Sequence, residues 1–112
     1  MAGTFQVYEV ALEMISVLRP AVEALARWDR DLADQVRRAA SSAVLNLAEG
    51  SRRWGKDRIH FYRIAAGSAA EVRAALEVAR AWGVLESSAE VEALLDRLLA
   101  MLWRLAHPRP GP

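Results

Sequence analysis

The most constraining feature of this sequence is a pair of small-residue runs on either side of a short basic segment. The runs are residues 39–43 (AASSA) and residues 65–70 (AAGSAA). Small side chains let two helix backbones approach closely, so we expect an antiparallel helical hairpin. Gly50 is expected to end the first helix in the left-handed conformation. Gly55 would then turn the chain before Lys56 and Asp57 open the second helix, where Asp57 would either cap it or favour its N-terminal dipole.

Apolar residues recur at three- and four-residue spacing in four segments, and none shows the alternation of a strand. Helices are predicted over residues 5–27, from Asp29 or Asp31 to Gly50, over residues 57–82, and from a cap at Ser87 or Ser88 to residue 106. Pro20 predicts a kink or break near residues 18–19 of the first helix. The expected fold is an all-α, up-down-up-down four-helix bundle of residues 1–106, followed by a disordered Pro-rich tail of residues 107–112.

The last helix is apolar over more of its surface than a monomeric bundle buries, which predicts a second subunit. The residues expected at that oligomer interface are Leu95, Leu99, Leu102 and Trp103. The third helix also carries two apolar stripes, one through Tyr62 and Val72 and another through Ile64 and Trp82. Its second stripe would face either the centre of the bundle or another subunit.

Composition argues against an enzyme and against a membrane protein. The chain has no cysteine and only two histidines, so thiolate and histidine-rich metal sites are not expected. One Asp-x-x-His at residues 57–60 is too little for a di-iron bundle, and no phosphate-binding glycine motif occurs. We expect no cofactor. The uncharged runs are much shorter than the ~20 residues of a membrane span, so the expectation is a soluble, cytoplasmic protein.

Positive charge is concentrated in one part of the chain. The net charge is +1, but residues 35–63 carry seven Arg or Lys against two acidic residues. Cations bind phosphates without sequence preference, and an exposed tryptophan can stack on a base. The candidate nucleic-acid-binding residues are Arg52, Arg53, Trp54, Lys56, Arg58 and Arg63. Two other interpretations stay open: a solvated turn, or a surface that forms salt bridges with the acidic fourth helix of another subunit.

A few polar residues interrupt the small-residue runs or lie beside them. They are Asn46, Glu49, Ser68 and Glu71. They could line a ligand pocket, but a structural network is the favoured interpretation. In that network Glu49 or Glu71 would pair with an arginine such as Arg37 or Arg38, and Asn46 would cap or cross-link the backbone.

Three motifs at fixed spacing carry a family resemblance that covers nearly the whole chain. They are LxxQVRRAAxS at residues 32–42, NLAEGxxR at residues 46–53 and FYRIAxGSAxE at residues 61–71. Together they resemble the bacterial 23S rRNA intervening-sequence proteins, which are similar to the accessory variability determinant (Avd) of diversity-generating retroelements. The resemblance implies a four-helix bundle that assembles as a ring-shaped homopentamer without catalytic activity. In the Avd case it implies a positively charged pentamer that binds nucleic acid and a reverse transcriptase.

The residues and the resemblance together lead to two functional hypotheses. The first is a non-enzymatic, homo-oligomeric accessory protein that binds RNA or DNA, with a reverse transcriptase as a further partner. The second is a protein-protein scaffold without a nucleic-acid role. The near-neutral net charge departs from the basic surface associated with Avd. The basic segment around Arg52 and Arg63 is therefore the main support for the first hypothesis.

Overall fold

The computed structural model describes residues 3–110 and contains four helices and no strand within that range. The helices are α1 (Thr4–Trp28), α2 (Arg30–Ser51), α3 (Gly55–Ala81) and α4 (Ala89–Ala106). Contacts join α1 to α2 and α4, and join α3 to the same two helices. The predicted four-helix bundle is confirmed, with extents of 50 × 23 × 20 Å.

The ends of the predicted elements follow from local capping. The Asp29 carboxylate accepts a hydrogen bond from the Leu32 backbone N–H at 3.0 Å, so this residue both ends α1 and caps α2. Ser88 caps α4 in the same way, at 3.3 Å from the Val91 N–H. Both caps are among those predicted. Residues 107–110 follow α4 without regular secondary structure. Residues 111–112 of the predicted tail and residues 1–2 of the predicted domain lie outside the described range.

Two expectations about helix breaks are corrected. No break occurs at Pro20, because α1 is helical from Thr4 to Trp28. Gly50 does not adopt the left-handed conformation but lies within α2, which ends one residue later. Gly55 does have a positive φ, of 55°, as the predicted turn requires. A Cβ on Gly50 would lie 2.7 Å from Cε1 of the buried Tyr62 ring, so this position needs glycine for space rather than for backbone freedom.

The small-residue runs form the seam between α2 and α3, as predicted. Ala39 and Ala43 of α2 are buried, as are Ala65 and Ala69 of α3. Of the two stripes on α3, the one through Tyr62 and Val72 enters the core. The other stays at the surface of the single chain, and the Trp82 side chain is 70% exposed.

The prediction that α4 needs a partner is corrected for two of its residues. Leu95 and Leu102 are buried by the chain's own helices, because α4 packs against both α1 and α3. Leu99 is half-buried against the same core. Trp103 alone among the predicted interface residues is strongly exposed, at 59%. The apolar character of α4 therefore reflects burial by two neighbours within one chain and does not by itself demand a second subunit.

Candidate nucleic-acid interface

The antiparallel order of the helices brings four chain segments to one end of the bundle. These segments are the start of α1, the end of α2, the start of α3 and the end of α4. The α2–α3 turn, residues 52–54, lies at this end. We call it the basic end and define it by Arg52, Lys56, Arg63 and Arg104.

A groove of about 1070 Å³ lies at the basic end between the first turns of α3 and the last turn of α4. Its cationic lining residues are Lys56, Arg58, Arg63 and Arg104, and His107 adds an imidazole. Apolar side chains, including Ile59 and Leu105, also line it. No Asp or Glu is among the described residues that line the groove, so the charged side chains of its lining are all cationic.

Arg58 lines the groove but is bonded within the turn. Its Nε donates to the carbonyl oxygens of Arg53 at 2.8 Å and Gly50 at 3.2 Å, and its Nη2 donates to that of Ser51 at 3.1 Å. These carbonyls belong to the end of α2 and to the turn, where no following turn of helix supplies backbone N–H groups to bond them. The guanidinium also lies 5.5 Å from the centroid of the Trp54 ring. Arg58 therefore acts as the C-terminal cap of α2.

Arg53 is held between two carboxylates. Its Nε donates to Glu49 at 2.7 Å, and its Nη1 donates to Asp57 at 3.0 Å. The hydrogen bond to Glu49, with a smaller contribution from Asp57, raises the pKa of Arg53 above its usual value. The same guanidinium lies 5.1 Å from the centroid of the Phe61 ring. Its charge is thus compensated locally, which makes it a poor phosphate ligand.

The remaining predicted cations are available to a ligand. Arg52, Lys56 and Arg63 are exposed and form no ion pair with any residue in the described range. Trp54, also predicted, is 82% exposed. The prediction missed Arg104 because it lies about forty residues further along the chain. Its position in the last turn of a fourth, antiparallel helix places it beside the start of α3.

The comparison with protein families agrees with the resemblance drawn from the motifs. The family model described as 23S rRNA-intervening sequence protein matches residues 4–104. The chain belongs to this family. No curated protein and no solved structure gives a significant match.

In this 23S rRNA-intervening sequence family member the polar residues of the seam fall into separate groups. Ser42 and Ser68 are joined across the seam at 2.8 Å, and the Asn46 amide donates to the Ser42 carbonyl and hydroxyl at 2.9 and 3.0 Å. Glu71 instead lies 3.5 Å from the Gln35 amide. Glu49 does pair with an arginine, as predicted, but the partner is Arg53 at 2.7 Å. Arg37, one of the two partners named as examples, pairs with Asp34 at 2.8 Å instead.

Other classes of site are not found in the described part of the chain. Within residues 3–110 no group of three or more acidic or histidine side chains is placed to hold a metal ion. No helix of that range has the length and apolar composition to cross a membrane.

Proposed function

We propose that this 23S rRNA-intervening sequence family member is a non-enzymatic cytoplasmic accessory protein that binds the phosphate backbone of RNA through its basic end. The observation that carries the proposal is the groove lined by cations from both α3 and α4, without a carboxylate among its described lining residues. Cations that have no internal partner can neutralise phosphates without first breaking an ion pair. Membership in a family named for an rRNA intervening sequence adds support for an RNA-related role.

The phosphate contacts of this proposal differ in part from those first predicted. Arg52, Lys56, Arg63 and Arg104 are assigned to phosphates because they are free of ion pairs within the described residues. Arg53 and Arg58 are assigned to the turn, because their guanidinium groups already bond carboxylates and carbonyls. Neutralising the second pair would disturb the turn itself and would not report on binding.

We propose further that the protein acts as a ring-shaped homopentamer. In a cyclic assembly every copy presents the same end on the same side, so weak phosphate contacts would add by avidity. Burial of Leu95 and Leu102 moves the expected contact surface away from the core side of α4. Exposed apolar side chains on α1 and α2, namely Phe5, Leu12 and Leu45, are better candidates. A reverse transcriptase, as in the Avd systems, is a proposed partner of such a ring.

The test is RNA binding across a salt series, by fluorescence anisotropy, on protein whose oligomeric mass is measured in the same buffer. The test variant replaces Arg52, Lys56, Arg63 and Arg104 with Gln. We expect its affinity at low salt to be at least ~100-fold weaker than that of the parent. The plot of log K against log[salt] should also become shallower, with the size of its negative slope reduced by about 3.

The matched control removes four cations elsewhere. Arg19, Arg27, Arg30 and Arg38 are exposed and unpaired within the described residues, and their replacement by Gln changes the net charge equally. We expect the control variant to keep most of the affinity. Equal loss in both variants would show that only net charge matters, and an unaffected test variant would rule out this surface. Labelled single-stranded DNA in the same series tests whether the binding extends to DNA.

The alternative function is a scaffold that holds a protein partner without binding nucleic acid. The exposed tryptophans at the opposite end of the bundle, Trp28 and Trp82, favour it, because large exposed aromatic side chains often mark protein contacts. If the parent protein fails to bind RNA at low salt, this alternative becomes the working model.

A further inference from the structure

The last turn of α4 carries a preorganised aromatic stack. The rings of Trp103 and His107 lie 4.3 Å apart between centroids with an interplanar angle of 18°. The His107 Nδ1 is 2.9 Å from the Trp103 carbonyl oxygen, and the His107 backbone N–H donates to the same oxygen at 2.9 Å. A carbonyl oxygen can only accept, so Nδ1 carries the proton in this contact. The imidazole is thereby held against the indole.

The stack leaves much of the indole open to a ligand. His107 covers one face of the ring, while the Trp103 side chain remains 59% exposed. The exposed area therefore lies on the other face and along the edges. A tryptophan fixed on a helix and supported from behind loses little conformational freedom when it stacks on a flat partner.

The stack also adjoins the groove of the basic end. A second depression of about 570 Å³ is lined by Ala100, Trp103, Arg104, His107 and Arg109. It shares Arg104 and His107 with the larger groove. The depression beside Trp103 and the cationic groove are thus neighbours that meet at Arg104 and His107.

We infer that the basic end takes an unpaired RNA strand, with one base stacked on the open face of Trp103 and the adjoining phosphates on Arg104 and Lys56. The inference rests on the proposed function, which needs only phosphate contacts, and adds the class of RNA. In a duplex the faces of the bases are covered by their neighbours, so a stacking surface is usable only by bases that are unpaired. A nucleotide carries an anionic phosphate and a planar base. The cations would bind the phosphate, and the exposed indole ring would stack on the base.

Trp54 is the other exposed tryptophan at this end, and it is less suited to the same role. It lies at the tip of the turn, with the Arg58 guanidinium 5.5 Å from its ring centroid. That arginine also bonds three backbone carbonyls. Trp54 lines neither of the two depressions, whereas Trp103 lines the smaller one together with Arg104.

The experiment compares three labelled RNAs of equal length: a single strand, the same strand in a duplex, and a strand of abasic residues. The variants are Trp103→Leu and Trp103→Phe, with Trp82→Leu at the opposite end as the matched control. Trp103→Leu should weaken binding of the single strand by about tenfold and change the other two affinities by less than about twofold. Trp103→Phe should recover part of the loss, and Trp82→Leu should bind like the parent. The unfolding midpoint of each variant checks that the fold is kept.

The outcomes separate this inference from the proposed function. If the parent binds none of the three RNAs, both fail. If the parent binds strand and duplex equally and Trp103→Leu changes neither, the phosphate-binding proposal stands and base stacking at Trp103 is overturned. If Trp103→Leu weakens all three RNAs alike, the indole acts without stacking on a base, which also overturns the inference.

Discussion

Both ends of the bundle expose tryptophan side chains, but their surroundings differ. At the basic end, Trp54 lies against Arg58 and Trp103 against His107. At the opposite end, which we call the loop end, Trp28 and Trp82 face each other with ring centroids 6.4 Å apart. The segments near that pair, residues 27–31 and 80–92, carry five acidic residues against three arginines. Tryptophan thus lies beside a cation or an imidazole at one end, and beside another tryptophan in segments of slight negative charge at the other.

The two ends also reverse the chain in different ways. At the loop end, Gly83 has a φ of 76°, and the Val84 and Gly83 N–H groups donate to the Ala79 and Arg80 carbonyls at 3.1 and 2.9 Å. This backbone motif closes α3 without side chains. At the basic end the chain reversal is held by side chains: Arg58 donates to the α2 carbonyls of Gly50 and Ser51, and the Tyr62 ring packs on Gly50. Tertiary contacts therefore make the basic end more sensitive to substitution.

Gly50→Ala should have the largest effect on stability. The added Cβ would meet the Tyr62 ring at 2.7 Å, and that ring is buried and hydrogen-bonded to Thr4 at 3.1 Å, so it has little room to move. We expect a loss of about 2 kcal/mol in the free energy of unfolding, after the gain in helix propensity. Urea unfolding followed by circular dichroism measures it.

Gly67→Ala is the matched control for that substitution. Gly67 lies inside α3, and a Cβ at this position would meet no atom within 4 Å beyond its own stretch of helix backbone. The same change there should therefore stabilise the protein by up to about 1 kcal/mol. Unfolding midpoints that shift the same way in both variants would contradict the packing argument for Gly50.

Gly50 shows the limit of predicting the fold from sequence. Apolar spacing and the caps at Asp29 and Ser88 are local, so four helices could be predicted. A glycine near a helix end, however, looks the same whether it supplies a positive φ or space for a ring from another helix. Likewise, periodicity marks Leu95 and Leu102 as apolar but does not tell whether two neighbours in the same chain or a second chain will cover them.

The candidate site was predictable only where it is local. The segment from Arg52 to Lys56, which comprises the turn and the start of α3, is contiguous in sequence, and its positive charge predicts it. The pairing of Arg53 with Glu49 and Asp57 follows a four-residue spacing in both directions, a pattern that could have indicated its structural role. Arg104 lines the groove, and Trp103 the adjoining depression, only because α4 returns antiparallel to α3, which requires the full topology.

Arg58→Gln should separate stability from binding at the basic end. The variant loses hydrogen bonds from a charged donor to three carbonyls, so we expect about 1.5 kcal/mol less stability. Its control is Arg63→Gln, five residues along the same helix, where the side chain is exposed and unpaired within the described residues. That variant should lose RNA affinity severalfold and less than about 0.5 kcal/mol of stability. If Arg63→Gln destabilises the protein as much as Arg58→Gln, the division between turn-forming and phosphate-binding cations is wrong.

Trp82→Leu should destabilise the protein less than Gly50→Ala or Arg58→Gln, and it tests the loop end. The side chain is 70% exposed, so the substitution removes little buried area, and the aromatic contact with Trp28 accounts for most of the expected loss of roughly 0.5–1 kcal/mol. Affinity for RNA should stay that of the parent, because the pair lies at the end of the bundle opposite the phosphate-binding groove. Thermal unfolding and anisotropy on one preparation measure both quantities. A loss of RNA affinity comparable to that of Trp103→Leu would mean that tryptophan exposure alone governs binding, whatever charges lie beside it.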